Sequence, residues 1–145
     1  MRVIKRNGNV EAVDFNKITE RIKKLSGKIS ESIDPIKVAQ KVCNSLYDEV
    51  TTRELDERSS EIAIALCTEH PDYGVLAAHL CASNLHKSTV GRFSTCVRLL
   101  HAQELVSDEL LRVTETYHAE IEEMIDYDND YRFDYFGLKT LMKSY

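Results

Sequence analysis

Met1-Arg2-Val3-Ile4-Lys5-Arg6-Asn7-Gly8-Asn9-Val10-Glu11-Ala12-Val13-Asp14-Phe15-Asn16-Lys17 opens the chain. An apolar and basic run reaches Arg6, turns at Asn7-Gly8 and returns through Val10 and Val13. Asn-Gly between two short runs is a strong hairpin signal, because a two-residue type I′ turn needs positive φ at both central residues. A two-stranded hairpin does not bury itself, so this one is expected to act as a lid on the helices that follow. It sets Lys5 and Arg6 beside the start of the first helix, an arrangement suited to a polyphosphate. Successive strand residues point to opposite faces, so one of the two is expected inward and the other outward.

Helical patterns fill most of the remaining chain. Ile18, Ile22 and Leu25 share a face from about Asn16 to Leu25, and Gly27 fits the stop. Asp34-Pro35 supplies an N-cap and a first-turn proline, followed by Val38, Ala39, Val42 and Leu46 at helical spacing. Thr51 with Glu54 matches a capping box, with Thr52 as the other candidate cap. Leu55, Ile62, Leu66 and Cys67 then form a stripe, and His70-Pro71 breaks the chain. A fourth helix is expected from about Tyr73 to His86, with Leu76, Ala77, Leu80 and Asn84 inward. The fold class is therefore mainly α: a small N-terminal β-hairpin capping a four-helix bundle over residues 1–90. Residues 91–145 read as further helices, one from Arg92, one capped by Ser107 and one from Phe136 to Tyr145. Apolar residues after Tyr135 lack a local partner, so this end is read as a helical segment cut off inside a larger domain.

Composition narrows the function classes. The net charge of −5 hides an asymmetry: residues 1–25 carry seven basic and three acidic groups, residues 104–134 two basic and eleven acidic. The acidic end argues against general nucleic-acid binding, which needs an extended basic surface. A basic N-terminus suits a compact anion. No apolar run reaches the roughly 18 residues of a membrane span, and no signal core opens the chain, so a cytoplasmic setting is expected. Cys43, Cys67, Cys81 and Cys96 are widely spaced and read as reduced thiols; neither they nor the histidines show zinc-ligand spacing.

The residues that could hold a phosphate group lie at the hairpin and at helix ends. Lys17 sits in a first helical turn, where the dipole disfavours a cation unless an anion joins it. Thr52 stands at another helix N-terminus, Asp56 lies one turn beyond it, and Lys87 follows the fourth helix. Taken singly these are commonly a solvated edge, a cap and an inert surface group. The chain has no Walker loop and no Gly-x-Gly-x-x-Gly. Nor does it offer a spacing for a Ser-His-Asp or Cys-His set, so no catalytic site is expected.

Val3-Ile4-Lys5-Arg6-Asn7-Gly8 through Glu11, then Phe15-Asn16-Lys17-Ile18, resembles the start of an ATP-cone domain. Thr51-Thr52-Arg53-Glu54-Leu55-Asp56, His70-Pro71-Asp72-Tyr73-Gly74-Val75-Leu76-Ala77-Ala78 and Ser83-Asn84-Leu85-His86-Lys87 continue it. In that order the strings resemble the amino-terminal part of the large subunit of class I ribonucleoside-diphosphate reductase, of the eukaryotic and large-DNA-virus type. Ile125-Asp126-Tyr127-Asp128-Asn129-Asp130 and Tyr135-Phe136-Gly137-Leu138-Lys139-Thr140-Leu141 resemble the segment joining the cone to the catalytic barrel. The match is weakest between Val90 and Thr116.

The resemblance implies that ATP or dATP binds as an allosteric effector, with room for magnesium on the triphosphate, and sets overall reduction of ribonucleotides to deoxyribonucleotides. It implies phosphate contacts from Lys5, Arg6 and Lys87. It places Glu11, Ala12, Val13, Asp14, Phe15, Asn16 and Lys17 along the nucleotide under the hairpin, and Thr52 and Asp56 near its sugar and phosphates. Implied partners are other copies of the large subunit and the small radical-generating subunit. The chain would belong to an oxidoreductase yet lack that enzyme's catalytic residues. Asn16 stands where the family commonly has Asp, so a degenerate cone serving only subunit contacts is the alternative reading. A cone-bearing transcriptional regulator would need a zinc ribbon ahead of the cone, and no cysteine precedes Cys43.

Overall fold

The structure is a computed structural model that describes residues 1–144. Strands β1 (Arg2–Ile4) and β2 (Val10–Ala12) pair antiparallel, with Val3 opposite Glu11. Their connection differs from a two-residue type I′ turn. Lys5 N–H donates to the Asn9 carbonyl at 2.8 Å, and Gly8 N–H donates to the Lys5 carbonyl at 2.9 Å. The loop is thus three residues, Arg6-Asn7-Gly8, and only Gly8 takes positive φ, at 84°. A single left-handed residue closes a three-residue hairpin loop, whereas type I′ needs two. The third loop residue removes Arg6 from the strand, so the expected in-out alternation of Lys5 and Arg6 does not apply.

Helix α1 (Phe15–Ser26) starts one residue before the expected point, because the Asp14 carboxylate accepts from the backbone N–H groups of Asn16 and Lys17. Asp34 caps α2 (Pro35–Asn44) in the same way, with proline in the first turn. The chain then forms strand β3 (Val50–Thr51), which the sequence reading lacked. It pairs parallel to β1, Val3 opposite Val50, giving a three-stranded sheet of order β2-β1-β3. Glu49 enters this strand at φ 64°, with its N–H donating to the Arg2 carbonyl at 2.9 Å. Helix α3 (Thr52–Ala65) follows directly, with the complete Thr51–Glu54 capping box. A 3₁₀ turn (Leu66–Thr68) precedes α4 (Asp72–His86).

Two units are distinguished. The first comprises residues 1–84 and 131–145, and the second residues 85–130. In the first, Ile18 and Ile22 of α1, Val38 and Val42 of α2, Ala63 of α3 and Leu76 and Leu80 of α4 form the buried core. Helix α8 (Tyr135–Ser144) adds Tyr135 and Leu138 to that same core. This covers Tyr135 and Leu138, whereas Phe136, Leu141 and Met142 stay exposed; the expected helical run to Tyr145 has its last residue outside the described residues. Val3 and Val50 are buried on the inner face of the sheet.

The second unit contains α5 (Phe93–Ala102), α6 (Asp108–Thr116) and α7 (His118–Met124). Ser107 caps α6 by accepting from Leu110 N–H. Glu122 accepts from the Ser94 N–H, the Ser94 hydroxyl and the Tyr127 hydroxyl, tying the helices through one carboxylate. Among the described residues no helix is long and apolar enough to cross a membrane.

Leu76 is completely buried, whereas Leu105 is 66% exposed. Leu76→Ala is expected to lower unfolding free energy by about 2–5 kcal/mol, and Leu105→Ala to stay within about 0.5 kcal/mol; urea denaturation measures both. Gly8→Ala is expected to destabilise by about 1–2 kcal/mol through its left-handed φ, and Gly8→Asn by less, read from the same denaturation curves.

Candidate functional site: a cleft beneath the hairpin

A cleft opens between the sheet, the start of α1 and the start of α3. Lys5, Glu11, Ala12, Val13, Asp14, Lys17 and Thr52 line it together with Val3, Ile18, Leu46, Val50 and Leu55. Seven of the twelve residues singled out from the sequence therefore share one cavity. Its volume is about 60 Å³, well under the roughly 300 Å³ at which ligand pockets begin. Phe15 and Asn16 lie at the first turn of α1 outside this lining, and Phe15 is exposed. Lys87 follows the end of α4 and belongs to the second unit.

Every cation at the cleft rests on a carboxylate. Lys5 Nζ lies 3.3 Å from Glu11, across the hairpin. Lys17 Nζ lies 4.0 Å from Asp14, the residue that also caps its helix. Both pairs are well exposed to solvent, and such pairs are worth roughly 0–1 kcal/mol. Separating such a pair costs little.

The third pair is of another kind. Asp56 projects from the second turn of α3 and is only 3% exposed. Arg6 Nη2, from the hairpin loop, donates to Asp56 Oδ2 at 3.1 Å and to Asn84 Oδ1 at 2.5 Å. Arg21 Nη1 of α1 bonds the other oxygen, Asp56 Oδ1, and Arg21 Nη2 donates to Ser83 at 3.4 Å. The carboxylate thus joins the hairpin loop to α1 and α3, and its two arginines extend the network to α4. Two guanidiniums on one carboxylate leave a formal excess of one positive charge. Burial, and then repulsion from Arg6, lowers the Arg21 pKa to about 10, so it remains charged at neutral pH.

Arg21 and Asn84 were not recognised as parts of the site from the sequence. Arg21 reads as one of several lysines and arginines on a solvated helix face. The available signal was its position between Ile18 and Ile22, which places it at the edge of the buried stripe.

The ATP cone domain family matches residues 1–88. The chain belongs to the ATP cone family. Over its full length, 100%, the chain is also 44% identical to the ribonucleoside-diphosphate reductase large subunit of Arabidopsis thaliana, covering 19% of that protein. It is 44% identical to the corresponding subunit of Variola virus, covering 20% of it, and 41% identical to the large chain of Schizosaccharomyces pombe, covering 19%. The chain spans about a fifth of the length of these curated relatives. The cone's matched region contains the cleft, the Arg6–Asp56–Arg21 network and all three strands. Among the described residues no cluster of metal-ligating side chains is found, and the four cysteines are free thiols.

Two further carboxylates accept from backbone N–H groups of the cone's sheet, one in β1 and one in β3. The Thr51 N–H, then its hydroxyl, keeps Glu54 below the ordinary glutamate range. The Arg2 N–H does the same for Asp48. With folded pKa values depressed, the unfolded chain takes up protons first on acidification. The stabilisation is therefore complete above the ordinary carboxylate range, near pH 4, and is lost as pH falls through the lower folded values. Combining Asp48→Asn with Glu54→Gln is expected to shrink the loss of stability between pH 5 and 3, measured as the urea midpoint against pH. An unchanged pH profile would contradict this.

Proposed function

We propose that the cone binds ATP or dATP beneath the hairpin and acts as the regulatory part of a ribonucleoside-diphosphate reductase large subunit. The observation that carries this reading is that Lys5 and Lys17 line one cleft, each on a carboxylate that a polyphosphate can replace, with Arg6 next to Lys5 in the chain and held by Asp56 outside that lining. Charge-assisted bonds to phosphate oxygens are stronger than the exposed ion pairs they displace. Glu11 and Asp14, once released, are acceptors suited to the ribose hydroxyls or the adenine amino group. Ala12, Val13, Leu46 and Val50 offer the apolar wall for a base. Thr52 adds a hydroxyl at the start of α3.

The cavity is too small for a nucleotide as it stands, so binding requires the hairpin loop to lift. Only Arg6 of the three cations ties the hairpin to the bundle by an ion pair; the Lys5 and Lys17 pairs are local to the hairpin and to α1. Release of Arg6 is therefore the step that opens the lid. Magnesium would travel with the triphosphate. On this reading the chain controls, and does not itself perform, reduction of ribonucleotides to deoxyribonucleotides. Its partners are further copies of the large subunit and the small radical-generating subunit, and it works in the cytoplasm.

A ligand that binds only the folded state stabilises it by RT ln(1 + [L]/Kd), about 2.7 kcal/mol at one hundred times Kd. Millimolar ATP or dATP is expected to raise the melting temperature of the chain, and Lys5→Ala with Arg6→Ala to remove that shift while leaving the ligand-free melting point within a few degrees. A melting curve indifferent to nucleotide overturns the proposal. Calorimetric affinity is further expected to fall as salt rises, because exposed cations make the contacts.

A further inference from the structure

Asp56 is held by two arginines of unequal freedom. Arg6 sits in a three-residue loop closed by Gly8. Arg21 sits on α1 between Ile18 and Ile22, both in the core. The first can move without disturbing a helix; the second cannot. Neither arginine lines the cleft, but Arg6 follows directly on Lys5, which does, whereas Arg21 reaches Asp56 and Ser83 from within α1.

Resting on the nucleotide-binding reading above, we infer that Arg21 is a positioning residue for polyphosphate binding: it keeps Asp56 compensated and in place so that Arg6 can be handed to the ligand. An ionised carboxylate at this depth is strongly disfavoured without a partner. If Arg6 were its only cation, transfer to a phosphate would strand that charge, and binding would bear the whole penalty. With Arg21 fixed on Oδ1, the carboxylate stays paired after Arg6 leaves Oδ2. The exchange is helped from the other side too. Arg6 and Arg21 repel across Asp56, and Arg21 is already shifted down by its burial and by Arg6; moving Arg6 onto an anion relieves that repulsion. Asn84, a neutral acceptor for Arg6 in the closed arrangement, adds no second buried negative charge when the arginine departs.

Calorimetric titration of the full chain with ATP tests this on the wild type, Arg21→Met, Asp56→Asn and the double variant. Arg21→Met is expected to weaken ATP binding at least about 10-fold when Asp56 is present and less than about 2-fold in the Asp56→Asn background. A merely structural role for Arg21 predicts similar losses in both backgrounds, which would overturn the inference. So would an Arg21→Met variant that binds like wild type. If Arg21→Met does not fold, Arg21→Lys replaces it: retention of affinity within about 3-fold of wild type supports charge compensation, and a loss above about 10-fold refutes it. Failure of the wild type to bind ATP is a separate result, which removes the nucleotide-binding reading and this inference together.

Discussion

A buried carboxylate needs partners, and the need of Asp56 organises this cone. The residue comes from α3, its two arginines from the hairpin loop and α1, and its neighbours Ser83 and Asn84 from α4. Hydrophobic packing of Ile22, Val42, Leu76 and Leu80 assembles the helices without regard to direction. The Asp56 network is directional and fixes where the hairpin lies over them. It also explains why a loop so short can be held down. Leaving a buried carboxylate with no partner is severe, whereas exposed pairs such as Lys17–Asp14 add little.

The same arrangement sets the character of the cleft. An open basic pocket would attract any anion and would leave its cations mutually repelling. Here the lysines are neutralised at rest by Glu11 and Asp14, and one net positive charge remains at the Arg6–Asp56–Arg21 site. A monoanion gains little by displacing one exposed pair. A triphosphate can engage several cations at once while leaving the acidic groups free to accept from sugar and base. On the proposed reading, discrimination by charge number would follow from these ion pairs, with no glycine-rich phosphate loop involved.

Much of this was legible in the sequence where the determinant was local. Asp14, Asp34-Pro35 and the Thr51–Glu54 box mark helix starts by chemistry that acts within three residues. Asn7-Gly8 announced the hairpin, but the turn type depends on how Lys5 and Asn9 pair, which the dipeptide does not encode. β3 has two residues and gains its identity from β1, far away in the chain, so no periodicity could reveal it. Arg21 meets Asp56 only after α1 and α3 have packed. Leu138 was visible among the apolar residues after Tyr135 in need of cover, while the helices that cover it were not, and Leu141 and Met142 stay exposed.

The order of strands has a kinetic corollary. β1 is the middle strand, and its second neighbour, Val50-Thr51, follows a helix hairpin of two whole elements. The β1–β2 pairing is local, yet the inner face of the sheet stays half-built until α1 and α2 have formed and the chain has come back alongside Val3. A two-stranded ribbon is marginal in water, so the hairpin becomes stable only once Val50-Thr51 has come alongside β1.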